Sequence, residues 1–150
     1  MSETKISAKI SRANKLSSSA EVCLQEAINC IMKKDIKNAE RYIRFGIVNL
    51  KRTLLSVKKI EEAYKKVQDA DEIEIGKQIG TLIFKIDEEL NFCLKITEAS
   101  IEYIYKGKMW QSIIDIKNIL ERSKEIRNKL STLLQLNLRI FYFVREGFGT

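Results

Sequence analysis

Histidine does not occur in this chain of 150 residues, and neither does proline. The first absence removes the commonest general acid/base and the commonest metal ligand together. Ser-His and Cys-His nucleophilic pairs, HExxH metal sites and the ExxH di-iron motif of helical bundles all need it, so all are excluded. Chemistry by Lys, Tyr or carboxylates stays open, yet no constellation of them stands out. The expectation is a non-enzyme with no cofactor, no metal and no small-molecule substrate. The second absence fits a chain of long helices, because proline breaks helix interiors.

Cysteine is scarce as well. Cys23, Cys30 and Cys93 make an odd count without a CxxC pair, against a disulfide framework and against a zinc site. Cys23 and Cys30 are seven apart and share a helix face. Their ordinary role is as small buried hydrophobes, with a redox or crosslinking role as the alternative. No uninterrupted apolar run reaches the roughly 20 residues of a spanning helix, so a membrane partner is not expected. The opening "MSETKISAKISR" lacks the apolar stretch of a secretory signal, and a cytoplasmic location is expected.

What the chain does hold is a globular mixture, 45% hydrophobic and 31% charged, enough for one domain over residues 1–150. Apolar residues recur at spacings of three and four with no sustained alternation, which predicts four helices and no strands. The first stripe is Ile6, Ile10, Ala13, Leu16, Ala20, Leu24, Ala27 and Ile31. Ser18 and Glu21 in "LSSSAE" form a candidate capping box, which would make residues 1–17 a separate N-terminal helix. The second stripe holds Ala39, Ile43, Ile47, Leu50, Leu54 and Val57, after Asp35 as N-cap. The third holds Ile75, Ile79, Leu82, Ile86, Leu90 and Cys93, after a second capping-box candidate at Asp71 and Glu74. The fourth follows "YKGK", where Gly107 suits a left-handed C-cap, and carries Trp110, Ile113, Ile116, Leu120, Ile126, Leu130 and Leu133. Residues 146–150 are expected to form a flexible tail.

Short turns make successive helices antiparallel neighbours, so the fold class is all-α, an antiparallel up-down four-helix bundle. "CLQEAINCIMKKDIKNA" and "CLKITEASIEYIYKGKMWQS" both join a Cys-Leu, an apolar helix and a Lys-rich turn, which suggests two related helical hairpins. Gly76 and Gly80, four apart, would let another backbone approach closely, within the bundle or across a dimer contact.

Charge is unevenly spread. The net is +7, and residues 33–66 alone carry eleven basic against four acidic side chains, whereas residues 67–99 carry three against eight. Neighbouring helices of opposite sign attract, and such faces help set pairing. The alternative is phosphate binding: Lys37, Arg41, Arg44, Lys51 and Lys58 gather on one side of the second helix and form a candidate nucleic-acid-binding row. No helix-turn-helix, zinc-finger or RNP-type motif accompanies it, so such binding would ignore base sequence.

Two stretches resemble known patterns. From Ser18 to Leu55, residues Leu24, Ala27, Asp35, Ala39 and the run "KRTLL" resemble the first hairpin of HEPN domains. Nuclease-active HEPN proteins use an Arg-x4-6-His motif, so without histidine the resemblance implies a HEPN-like bundle with a non-catalytic binding role. "QLNLRIFY" resembles the PIP box, the peptide that docks on sliding clamps. The resemblance implies Gln135 as a hydrogen-bonding plug and Leu138, Phe141 and Tyr142 as apolar anchors. The same residues also continue the stripe of the fourth helix, so core packing and docking both remain open.

Together these features point to a helical interaction, adaptor or assembly module whose partner is a second copy of itself or another protein. The alternative is an accessory protein of nucleic-acid metabolism, holding phosphate backbone through the second helix and a clamp through the PIP-box-like peptide.

Overall fold

The computed structural model describes residues 2–67 and 73–143, with the side chains of residues 5–65 and 74–139. Four α-helices make up nearly all of it: α1 Ser2–Met32, α2 Ile36–Val67, α3 Ile73–Tyr105 and α4 Met109–Phe143. Each is roughly 45–55 Å long at 1.5 Å per residue. No strand occurs among the described residues.

Both hairpin turns are closed by the same device. At the first, Asp35 N–H donates to the Cys30 carbonyl (2.9 Å) and Lys34 N–H to that of Ile31 (2.9 Å). At the second, Lys108 N–H donates to Tyr103 (2.8 Å) and Gly107 N–H to Ile104 (3.1 Å). These nested bonds are a Schellman end, which puts one residue in the left-handed region. Gly107 takes it at φ 78°, as its sequence predicts, but Lys34 takes it at φ 62° with no glycine to announce it. Asp35 then caps α2 as expected, one carboxylate oxygen accepting Asn38 N–H (3.4 Å) and the other its side-chain amide (2.8 Å). A left-handed non-glycine residue costs roughly 1 kcal/mol. Lys34→Gly is therefore expected to stabilise the protein by about 0.5 kcal/mol after the extra unfolded-state entropy of glycine, and Gly107→Ala to destabilise it by about 1 kcal/mol. Urea midpoints moving in opposite directions would check both.

The helices form a ring in which each packs on its sequence neighbours and α4 returns to α1. Cross-helix bonds give the direction. As α1 advances from Ser7 to Ser17, its α4 partners retreat from Asn137 to Ser123. On α2 the partners of Lys9 and Cys23 retreat from Ser56 to Asn49. The bundle is thus antiparallel and up-down, as the short turns require.

The interior keeps a seven-residue period. Buried residues fall at 6, 13, 20, 27 and 10, 17, 24, 31 on α1, and at 39, 46, 53, 60 and 43, 50, 57 on α2. They fall at 79, 86, 93, 100 and 83, 90, 97, 104 on α3, and at 112, 119, 126, 133 and 116, 123, 130, 137 on α4. A sustained period of 3.5 is the repeat of left-handed coiled packing. Small residues recur at the seven-residue interval on both helices of the first hairpin, Ala13, Ala20 and Ala27 on α1 and Ala39, Gly46 and Thr53 on α2, all buried. A Cβ on Gly46 would lie 2.8 Å from Leu24 Cδ2 and 3.8 Å from the Ala20 carbonyl, so α1 and α2 approach closely there.

Several expectations are corrected. The interruption at "LSSSAE" is absent, and α1 runs unbroken through residue 17. The Glu21 carboxylate turns to Ser123 and Arg127 of α4 (3.0 and 2.9 Å) and not back to cap at Ser18. Ser17 is buried in the seam, its hydroxyl 2.9 Å from that of Ser123, whereas Leu16 is only partly buried. Trp110, assigned to the interior stripe of α4, is 74% exposed. Of the pair Gly76 and Gly80, a Cβ on Gly80 would meet nothing within 4 Å, whereas one on Gly46 would crowd Leu24. Asp71 of the second capping box and the tail at 146–150 lie outside the described residues.

Candidate functional site

The basic row of α2 lies entirely on the surface: Lys37, Arg41, Arg44, Lys51 and Lys58 are all exposed. Helix geometry sorts the exposed face into three strips. Lys37, Val48 and Leu55 fall within roughly 20° of its centre line at 100° per residue. Arg41, Arg52 and Lys59 flank it on one side and Arg44, Lys51 and Lys58 on the other. Beyond Lys37 the central strip is apolar, since Val48 is 45% and Leu55 60% exposed. Phe45, 45% exposed, lies beside it with the Arg41 guanidinium 5.6 Å from its ring centre. Sequence reasoning found the cations and missed these three apolar residues.

Opposite charges on α2 and α3 were expected to pair. Among the described residues no ion pair joins them: Arg44–Glu40 (2.6 Å) and Lys65–Glu61 (3.8 Å) lie within α2, and the inter-helix pairs both start from α4, Arg127–Glu21 (2.5 Å) and Lys129–Glu89 (2.6 Å). What ties α3 to α2 at the turn end is the Tyr105 hydroxyl, which donates to Glu40. That bond, aided by Arg44, holds the Glu40 carboxyl below its ordinary range, and it raises the Tyr105 phenol. The cationic face of α2 therefore points outward with little internal employment.

"QLNLRIFYF" is helical throughout. Gln135 and Leu138 are exposed, but Leu136 and Asn137 between them are buried. Asn137 joins three helices, accepting from Tyr64 OH (2.7 Å) and donating to Ser7 Oγ (3.1 Å). Burial raises the pKa of the Tyr64 phenol. The side chains of Phe141 and Tyr142 lie outside the described residues. The residues that carry the HEPN resemblance have structural employment: Leu24, Ala27 and Ala39 are interior, and Asp35 is a cap.

The thiols are poorly suited to nucleophilic work. Burial raises all three, and Cys93 is pushed up to about 12. Cys23 and Cys30 lie roughly 10 Å apart along α1, beyond the span of a disulfide. A raised thiol contributes stability that is complete below its unfolded pKa of about 8.5 and is lost as pH climbs towards 12. Cys93 is accordingly expected to resist Ellman's reagent at pH 8 until denaturant is added, while Cys23 and Cys30, both partly exposed, react first. Equal labelling rates for all three would contradict its burial.

Two depressions stand out among the described residues. One of about 480 Å³ lies between α3 and α4, lined by Glu74, Lys77, Gln78, Thr81, Leu82, Thr132 and Leu136. Another of about 230 Å³ sits at the turn end between α1 and α4. Among the described residues no three His, Cys, Asp or Glu side chains gather to hold a metal, and no helix is long and apolar enough to cross a membrane. No protein family, no curated protein and no solved structure matches this chain.

Proposed function

We propose that this bundle is a non-catalytic interaction module that receives an acidic amphipathic helix along the outward face of α2. The observation that carries the reading is the apolar strip of Val48 and Leu55, flanked by Arg44, Lys51 and Lys58 on one side and Arg41, Arg52 and Lys59 on the other. A docked helix buries an apolar seam and aligns charges beside it at seven-residue intervals, about 10.5 Å. Arg44, Lys51 and Lys58 have that interval. A phosphate backbone alone gives no use for an exposed leucine at the centre of the face.

The second reading, phosphate backbone held by Lys37, Arg41, Arg44, Lys51 and Lys58, draws on the exposure of all five. The two readings separate in one titration. An 18-residue helical peptide with a leucine seam and flanking glutamates is expected to bind, and Leu55→Asp is expected to weaken it ten-fold or more, about 1.4 kcal/mol. Leu55 is exposed, so the variant should keep its helical circular dichroism. A 30-base-pair duplex that binds more tightly than the peptide, falls steeply with salt and ignores Leu55→Asp would favour nucleic acid. Clamp docking makes a separate demand, because Gln135, Leu138, Phe141 and Tyr142 reach a pocket together only if Leu136 and Asn137 leave the interior.

A further inference from the structure

We infer that the turn end of the bundle holds a second binding site, a pocket between α1 and α4 that takes one apolar side chain of an acidic peptide segment. Ile31, Met32, Lys34, Met109, Trp110 and Ile113 line it. It lies on the α1–α4 side of the ring, so it is not part of the α2 face and does not depend on the reading of that face.

Size sets the first limit on the occupant. Pockets for whole small-molecule ligands run to roughly 300–1,000 Å³. At about 230 Å³ this one is too small for such a ligand and suits a single inserted side chain. The walls choose its chemistry. Five of the six lining residues are apolar, and two of them stand open to solvent, Met32 at 67% and Trp110 at 74%. Ile114, one turn beyond Trp110, is 58% exposed and extends the apolar surface along α4. A tryptophan and a methionine left open beside a pocket are typical of surfaces that anchor a partner through few side chains.

Charge chooses the rest of the occupant. Both Schellman turns lie at this end of the bundle and carry Lys33, Lys34, Lys106 and Lys108, all exposed, and Lys34 lines the pocket itself. The one carboxylate in the two turns, Asp35, is already engaged in capping α2 through Asn38. An apolar pocket lined by Lys34, beside turns whose lysines form no ion pair among the described residues, complements a segment with an apolar anchor among aspartates or glutamates. Lys34 is held left-handed at the rim, where glycine would be the more stable choice, so the ammonium is kept at some conformational expense.

Trp110 is the only tryptophan in the chain and therefore reports on the pocket directly. The probe is a 12-residue peptide with one central leucine among glutamates, titrated against the full chain at low salt. The expected result is a saturable blue shift of the tryptophan emission, lost when the leucine becomes serine. Met32→Asp and the pair Lys33→Glu with Lys34→Glu are expected to weaken binding at least ten-fold, while Leu55→Asp on α2 leaves it unchanged. All of these sites are exposed, so circular dichroism should show the fold intact. No shift with the peptide, an equal shift with a lysine-for-glutamate peptide, or indifference to Met32→Asp would each overturn the proposal. A shift only with vesicles containing phosphatidylserine would overturn it too, and would assign this end to a lipid surface.

Discussion

Gly46→Val is expected to destabilise the bundle by about 2–3 kcal/mol, the range of overpacking in a tight core. The new Cβ would stand 2.8 Å from Leu24 Cδ2 and 3.0 Å from its Cγ. Leu24 is fully buried, between the equally buried Ala20 and Ala27 of its own helix. Removing a helical glycine returns only roughly 0.5–1 kcal/mol. The clash dominates, and α1 must move away from α2 along the small-residue column. Gly80→Ala supplies the control, because nothing lies within 4 Å of its added Cβ and the propensity gain of roughly 0.5–1 kcal/mol should appear in full. Urea unfolding followed at 222 nm should show opposite signs. Adding Leu24→Ala to Gly46→Val should cost less than the two separate losses together, since the cavity accepts the valine. If Gly46→Val proves neutral, α1 and α2 are not as close as described.

Arg127→Leu should cost about 2 kcal/mol, from the other side of the ring. The Glu21 side chain is 12% exposed and meets Arg127 Nη2 at 2.9 Å, Arg127 Nε at 2.5 Å and Ser123 Oγ at 3.0 Å. Breaking a fully buried pair costs roughly 3–5 kcal/mol, because the remaining charge has lost its partner. Arg127 is 35% exposed, so water already shares the site and the lower figure applies. The pair is not itself a large source of stability. The Arg127 Nε lies off the hydrogen-bond direction despite its short distance, so that contact is an ion pair without a hydrogen bond. The double variant Glu21→Leu with Arg127→Leu is therefore expected within about 1 kcal/mol of the parent. A double variant as unstable as Arg127→Leu alone would show the cost to be lost packing, not a stranded carboxylate.

Both predictions concern residues whose importance the linear reading could only partly reach. Apolar spacing announced Ile10, Leu24, Ile43, Leu50, Ile86, Leu90, Ile116 and Ile126, and all are buried. It passed over Ser17, Thr53, Thr97, Ser100, Ser112, Ser123 and Asn137, although these also fill interior heptad positions. A search for apolar side chains cannot see a hydroxyl that is satisfied across an interface, as Ser17 is by Ser123, or by its own helix, as Thr97 is by the Cys93 carbonyl (2.6 Å). Trp110 failed in the opposite direction. It was placed in an apolar series, but it shares a heptad column with Lys117, Lys124, Ser131 and Leu138, all exposed, so α4 turns it away from the interior. For the candidate site, the row Lys37, Arg41, Arg44, Lys51 and Lys58 was legible because charge is counted along the chain. Phe45, Val48 and Leu55 were not legible as surface, since exposure is decided by what the other three helices leave uncovered.

The amino-acid order alone determined that this chain makes four long helices, where its turns fall, and that consecutive helices run in opposite directions. Periodicity, caps and connection length act locally, within a few residues. Tertiary packing decided the rest: that α1 and α2 come close at Gly46, that among the described residues α4 and not α2 supplies the cross-helix ion pairs, and that α2 keeps its cations and three apolar side chains for the outside. Those outcomes depend on which faces meet once the ring closes, and residues as far apart as Ser7 and Asn137 acquire a common fate only then.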